Sequence, residues 1–289
     1  MARVHVNVVA HGRKLLGILS TQSEPSSSIA VYFHGFPDLS VHPNRELPPS
    51  YVSRFPRKLD EALEMDFLSV NFSGLPGSDE NSSFISKTLS REIEDAKAIV
   101  NYCSQVLKKQ FIHVIGLSTG AILAACLRDF KHPNLTSIAL VAGIVNAKEG
   151  MHLDFTQEQI NTMYQVGECQ VAFFWPEEWS LSSDCRCDVA FESIRKVWRP
   201  LNRAYLDDME VLDIANHVST GSVPLLVIHG TSDKNVPIEH GQALYATAAE
   251  PKSWLEIKGA NHLLSNAKHI KKAIAAIQTH IVNAEKLND

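Results

Sequence analysis

Three side chains of this 289-residue chain could share one reaction: Ser118, Asp233 and His262. A serine hydroxyl is a weak nucleophile at neutral pH. It becomes reactive when an imidazole takes its proton and a carboxylate orients that imidazole. Such a trio attacks acyl carbonyls and passes through a covalent acyl intermediate. The serine stands in Gly116-Leu117-Ser118-Thr119-Gly120, a G-x-S-x-G pattern whose small residues, two before and two after it, permit a tight turn. The chain order Ser, Asp, His is the one expected when such a turn carries the nucleophile.

Certain elements must position these groups. The apolar run 111–115 has the length and β-branched content of a buried parallel strand, and Ala121 to Ala125 with Leu127 follow as helix formers free of Gly and Pro. The serine therefore falls at a strand-to-helix turn, with the first helical N–H groups aimed beside it. Asp233 follows an apolar run ending at Gly230, and His262 follows another ending near Ile257. Reacting groups in open parallel sheets gather beyond the carboxyl ends of strands, and both residues lie just past one. A further strand, 29–33, ends in His34-Gly35-Phe36. An oxyanion needs two preorganised N–H donors, and the expected pair is the backbone of Phe36 and Thr119, with His34 bracing the loop. Asp233 alone could be a turn former, and His262 one of thirteen histidines bonded to backbone; their joint order and placement favour chemistry. Asp207, Asp208 and Asp213 are the fallback carboxylates, and His229, inside a strand end, reads as structural.

Elsewhere the chain alternates strands and helices, which points to a parallel α/β sheet. A hairpin is expected over residues 4–20, a helix from about 57 to 65, a strand over 67–72, and an amphipathic helix from 89 to about 107. Later come a strand over 136–145, a helix over 239–249 and a terminal helix over 267–284. The alternation breaks between about 146 and 221, where helical patches near 156–166 and 189–197 accompany Phe155, Phe173, Phe174, Trp175, Trp179, Phe191 and Trp198. A helical cap over the sheet edge would explain the break. The loop Ser73 to Ser78 lacks the Lys and the spacing of a phosphate-binding loop.

Composition excludes several classes. A net charge of −5, with 27 basic and 32 acidic residues mixed along the chain, leaves no basic stripe for nucleic acid. No apolar stretch reaches spanning length and the first residues lack the apolar core of a signal peptide, so no membrane span and a cytoplasmic location are expected. Five cysteines without a C-x-x-C pair read as reduced thiols.

With these residues on the page the chain resembles the α/β-hydrolase superfamily. His34-Gly35-Phe36, the Ser118 turn, Gly230-Thr231-Ser232-Asp233 with Val236-Pro237, and Gly259-Ala260-Asn261-His262 fall in family order across nearly the whole chain outside the cap. The resemblance implies an α/β-hydrolase fold: a mostly parallel eight-stranded sheet flanked by helices, with a core of residues 1–145 and 222–289 and an inserted helical cap of residues 146–221. Ser90-Arg91-Glu92-Ile93-Glu94-Asp95-Ala96 and the stretch from Pro251 to Ser265 are similar to cinnamoyl and feruloyl esterases and related carboxylesterases. That likeness implies a serine esterase with no metal and no cofactor, acting through Ser118, His262 and Asp233 on a small or medium apolar or aromatic ester. His34, Leu117, Phe174, Trp175 and Trp179 are expected to line the substrate pocket. Leu117 and Thr119 depart from the His and the Gln, Met or Gly more usual beside the nucleophile, so the substrate is less determined than the mechanism. Open alternatives are an aminopeptidase or amidase in which Glu177 or Glu178 grips an amine, a lyase or carbon–carbon hydrolase, and a ligand receptor with little turnover; a homodimer is also open.

Overall fold

The computed structural model describes residues 2–36, 41, 53–79, 84–176 and 194–287. β1 (Ala2–Ala10) and β2 (Arg13–Thr21) form the expected hairpin. Its two-residue turn places His11 and Gly12 at φ 49° and 80°, the left-handed pair that suits the twist of the strands. β3 (Ser28–Phe33), α1 (Phe55–Ala62) and β4 (Asp66–Val70) follow. Then come α2 (Leu89–Gln105), β5 (Phe111–Leu117), α3 (Thr119–Ala125) and β6 (Leu135–Val141).

The segment after β6 carries α4 (Ala147–Asp154), α5 (Gln157–Val166), β7 (Glu168–Pro176), β8 (Ile194–Asn202), α6 (Ala204–Val211) and α7 (Ile214–Thr220). The core resumes with β9 (Leu225–Gly230), α8 (Ile238–Thr247), β10 (Lys252–Ile257) and α9 (Ala267–Glu285). Among the described residues the main sheet has eight strands in the order β1-β2-β4-β3-β5-β6-β9-β10. The pairs from β4 through β10 are parallel, and only the β1–β2 and β2–β4 pairs are antiparallel.

The period-two pattern of the strands divides the core into two layers. Ile29, Val31 and Phe33 of β3, Ile112 and Val114 of β5 and Leu225 and Val227 of β9 face one layer, where they meet Ile93, Ala96, Ile99 and Val100 of α2 and the buried face of α3. The intervening residues Ala30, Tyr32, Ile115, Leu117, Leu226 and Ile228 face the other layer, packed on Phe55 and Leu59 of α1 and Ile270, Ile274 and Ile277 of α9. Both faces are covered, which is why these strands read as nearly continuous apolar runs.

The insertion is helical only in part. α5 opens with a capping box between Thr156 and Gln159 and stops at Gly167 in the left-handed region. β7 and β8 then pair antiparallel from Glu168–Asn202 to Pro176–Ile194. The helix expected near 189–197 is thereby corrected: residues 194–197 lie in a strand, and 189–193 fall outside the described residues. Met151, Phe155, Ile160, Met163, Tyr205, Met209 and Ile214 of the insertion join the same apolar cluster as the α2 and α3 side of the sheet. The insertion therefore shares the core's packing in this region.

No helix among the described residues is long and apolar enough to cross a membrane.

Candidate active site

The site is built on the turn between β5 and α3. Ser118 adopts φ 57° and ψ −121°, a conformation that non-glycine residues rarely hold and that the surroundings must enforce. Its N–H donates to Val141 O on the neighbouring strand at 2.9 Å. The flanking glycines have a steric reason. A β-carbon at Gly116 would overlap Gly120 O, and one at Gly120 would overlap Phe33 O. At Gly35 a β-carbon would stand 3.0 Å from Ser118 Cβ, so the loop after β3 runs directly against the serine.

Asp233 and His262 come from the loops after β9 and β10. His262 Nδ1 lies 2.8 Å from Asp233 Oδ2, and the Asp233 side chain is 1% exposed. The other carboxylate oxygen accepts from the N–H groups of Asn235 and Val236, both at 2.9 Å. Burial by itself would raise the Asp233 carboxyl. The hydrogen bond and charge of His262 and the two backbone donors outweigh it and hold the group below the usual carboxylate range. With Nδ1 committed to Asp233, His262 has Nε2 left to exchange a proton.

Ser118 and His262 face one cavity of about 500 Å³, lined also by Gly35, Phe36, Leu117, Asp154 and Leu263. That size suits a small organic ligand. No hydrogen bond joins Ser118 to His262 among the described residues, and in ligand-free sites such contacts are often long and tighten when substrate binds.

Phe36 lines the cavity, and Thr119, buried, opens α3 directly after Ser118, where the first N–H groups of a helix have no partner within the helix. His34 is buried and is not among the residues that line the cavity. Its Nδ1 lies 2.9 Å from Gly35 O. A carbonyl can only accept, so Nδ1 carries the proton. Burial, aided by the charge of Lys87, pushes the His34 pKa down to about 3 against the opposing effect of that hydrogen bond, and the ring is neutral at physiological pH. In a planar trans peptide the carbonyl of residue 35 and the N–H of residue 36 point in opposite directions. By holding Gly35 O on its own side, His34 turns the Phe36 N–H away from itself.

Leu117 lines the cavity. The expectations for the side chains of Phe174 and Trp175, and for Trp179, Glu177 and Glu178, fall outside the described residues. The fallback acids are occupied elsewhere: Asp208 accepts from Ser90 N and Oγ at 2.6 Å, Asp207 from Arg203, and Asp213 from Asn216 N as the cap of α7.

Sequence reasoning passed over Asp154. It ends α4, where a negative charge is disfavoured by the helix dipole, and it lines the cavity with Leu153. Its own surface is open to the cavity, yet protein crowds it from the other sides. That desolvation pushes its pKa up to about 7, partly offset by the charge of His262. It has no hydrogen-bond or ion-pair partner among the described residues. A lone acid in a helix-end sequence looks like an ordinary solvated residue, so only the folded chain singles it out.

The family model described as the prolyl oligopeptidase family matches residues 150–286. Curated relatives include uncharacterized protein YfhR of Salmonella typhimurium, 33% identical over 75 residues, and uncharacterized protein Rv2307c of Mycobacterium tuberculosis, 37% identical over 65 residues. These matches take in 26% and 22% of the present chain, and the matched segments span about a quarter of the relatives' lengths (25% and 22%). Among solved structures, Est1E from Butyrivibrio proteoclasticus with ferulic acid bound is 15% identical with a TM-score of 0.70, covering 97% of this chain and 99% of that one. A Pyrococcus furiosus esterase is 15% identical with a TM-score of 0.64, covering 98% and 91%. A putative hydrolase from Agrobacterium vitis is 17% identical with a TM-score of 0.66, covering 97% and 98%.

Proposed function

We propose that this chain, which has the α/β-hydrolase fold, is a serine hydrolase cleaving a small or medium carboxylic ester through an acyl-enzyme. The observation that carries the reading is the 2.8 Å bond from His262 to a buried Asp233, beside a cavity that opens on the strained Ser118 turn. Ser118 Oγ attacks the acyl carbon while His262 Nε2 takes its proton, and Asp233 holds the imidazole in the tautomer that leaves Nε2 free. The N–H groups of Phe36 and Thr119 receive the developing oxyanion. His262 then protonates the departing alcohol, and a water activated by the same imidazole releases the acid.

The apolar wall of Phe36, Leu117, Leu153, Val236 and Leu263 favours an apolar or aromatic acyl group, a reading also supported by the ferulic-acid complex of the Est1E neighbour. The buried free thiols of Cys103, Cys126 and Cys169 support a cytoplasmic location.

A fluorophosphonate probe should label the wild type covalently and leave Ser118→Ala unlabelled. Labelling that persists in the variant would falsify the assignment of the nucleophile. A second reading, cleavage of an amide by the same three groups, is favoured by the prolyl oligopeptidase match. Rates on p-nitrophenyl esters set against aminoacyl anilides separate the two.

A further inference from the structure

The carboxylate of Asp233 has a second histidine beside it. His229, the penultimate residue of β9, is 1% exposed, and its Nε2 lies 2.9 Å from Val236 O and 3.6 Å from Asp233 Oδ2. Both neighbours are acceptors, so Nε2 must carry the ring proton. Nδ1 is then a bare lone pair, and it is buried without a hydrogen-bond partner. The ring fits tightly against α8, because a β-carbon at Gly241 would overlap Nδ1. Burial pulls the His229 pKa below its ordinary value against the opposing pull of Val236 O and Asp233, which disfavours the charged ring.

The loop closes on itself through these contacts. Asp233 Oδ1 is held by the N–H groups of Asn235 and Val236, while the carbonyl of that same Val236 is held by His229. His229 thus fixes the far end of the loop, and its Nε2 lies 3.6 Å from the oxygen that His262 uses.

We propose that His229 is a positioning residue for the acyl-transfer site: its Nε2–H clamps Val236 O and keeps Asp233 Oδ2 in line with His262 Nδ1. The proposal rests on the triad reading above. It adds a fourth side chain that touches neither substrate nor nucleophile.

Two variants in the full chain test it. His229→Leu fills the space without a donor, and His229→Gln puts an amide N–H near the place of Nε2. The Leu variant should lower kcat on p-nitrophenyl acetate roughly ten- to a hundredfold with KM nearly unchanged, as expected for a small misplacement of a reacting group, and the Gln variant should recover most of the loss. A folded Leu variant with wild-type kcat, or a Gln variant as impaired as the Leu one, overturns the proposal. Nitrogen NMR of the wild type provides a measure that does not depend on any variant folding. At pH 8 the neutral ring of His229 should carry its proton on Nε2, and a proton on Nδ1 overturns the idea. The low-field proton of His262 Nδ1 separates the two levels of inference. If the wild type lacks it, the triad reading and this one fall together. If it is present and unmoved in a folded His229→Leu variant, this proposal alone fails.

Discussion

Gly120 of α3 packs on the backbone of Phe33 in β3 so closely that a single added methyl group would overlap the Phe33 carbonyl oxygen. The helix that follows Ser118 can approach the sheet only because that position has no side chain. Gly120→Ala should therefore force the two elements apart, costing about 1–3 kcal/mol of stability. Urea denaturation checks this, and the displaced turn should also lower ester turnover in whatever fraction remains folded.

His34, the next residue, packs against the same turn. Replacing it with Ala releases Gly35 O and with it the direction of the Phe36 N–H. Losing a well-placed oxyanion donor costs up to about 10²-fold to 10³-fold in kcat, and a donor that has merely been loosened should cost less. Steady-state kinetics should show the loss in kcat with KM little changed. A proportional rise in KM at constant kcat would argue that the loop serves binding alone.

Asp233→Asn keeps the shape of the carboxylate but allows His262 to adopt the wrong tautomer. A loss of roughly 10⁴ in kcat is expected, with the circular dichroism spectrum unchanged. Activity retained within an order of magnitude would mean that another carboxylate orients His262.

Asp154 gives a pH dependence with a definite sign. Its folded pKa is raised to about 7, so between the ordinary carboxylate range and about 7 the folded chain holds more protons than the unfolded one. Stability contributed by this group is then present at low pH, falls as pH rises through that window, and levels off above it. Melting temperatures measured across the window should fall less in Asp154→Asn than in the wild type. The same charge faces the cavity, so at pH 8 the variant should also bind esters with a carboxylate-bearing acyl group more tightly, seen as a lower KM.

Much of this site could be read from local sequence. The Ser118 turn is short-range chemistry, in which a strand, two glycines and a helix are contiguous in the chain. Asp233 and His262 were legible because each follows an apolar strand directly. The failures have a different origin. Residues 194–202 pair with 168–176 across a long separation, and such pairing is decided by the partner strand, which a window around Ile194 does not contain. His34 stands in the expected loop, but the direction of its ring depends on the fold of the Gly35 peptide. Asp154 gained its place in the cavity from the packing of α4 on Ile144 and Met209, where a side chain at Gly150 would collide. Nothing near Asp154 in the sequence announces that contact.

The shared apolar cluster beneath the insertion limits how this protein can be altered. Met151, Phe155, Tyr205 and Met209 rest on the same bed of side chains as the sheet, so the segment cannot be exchanged as a cassette without stripping cover from α2 and α3. Redesign of the binding chamber has to proceed through single wall positions such as Leu153 and Leu263. A graft of a foreign cap would first have to rebuild the floor on which it sits.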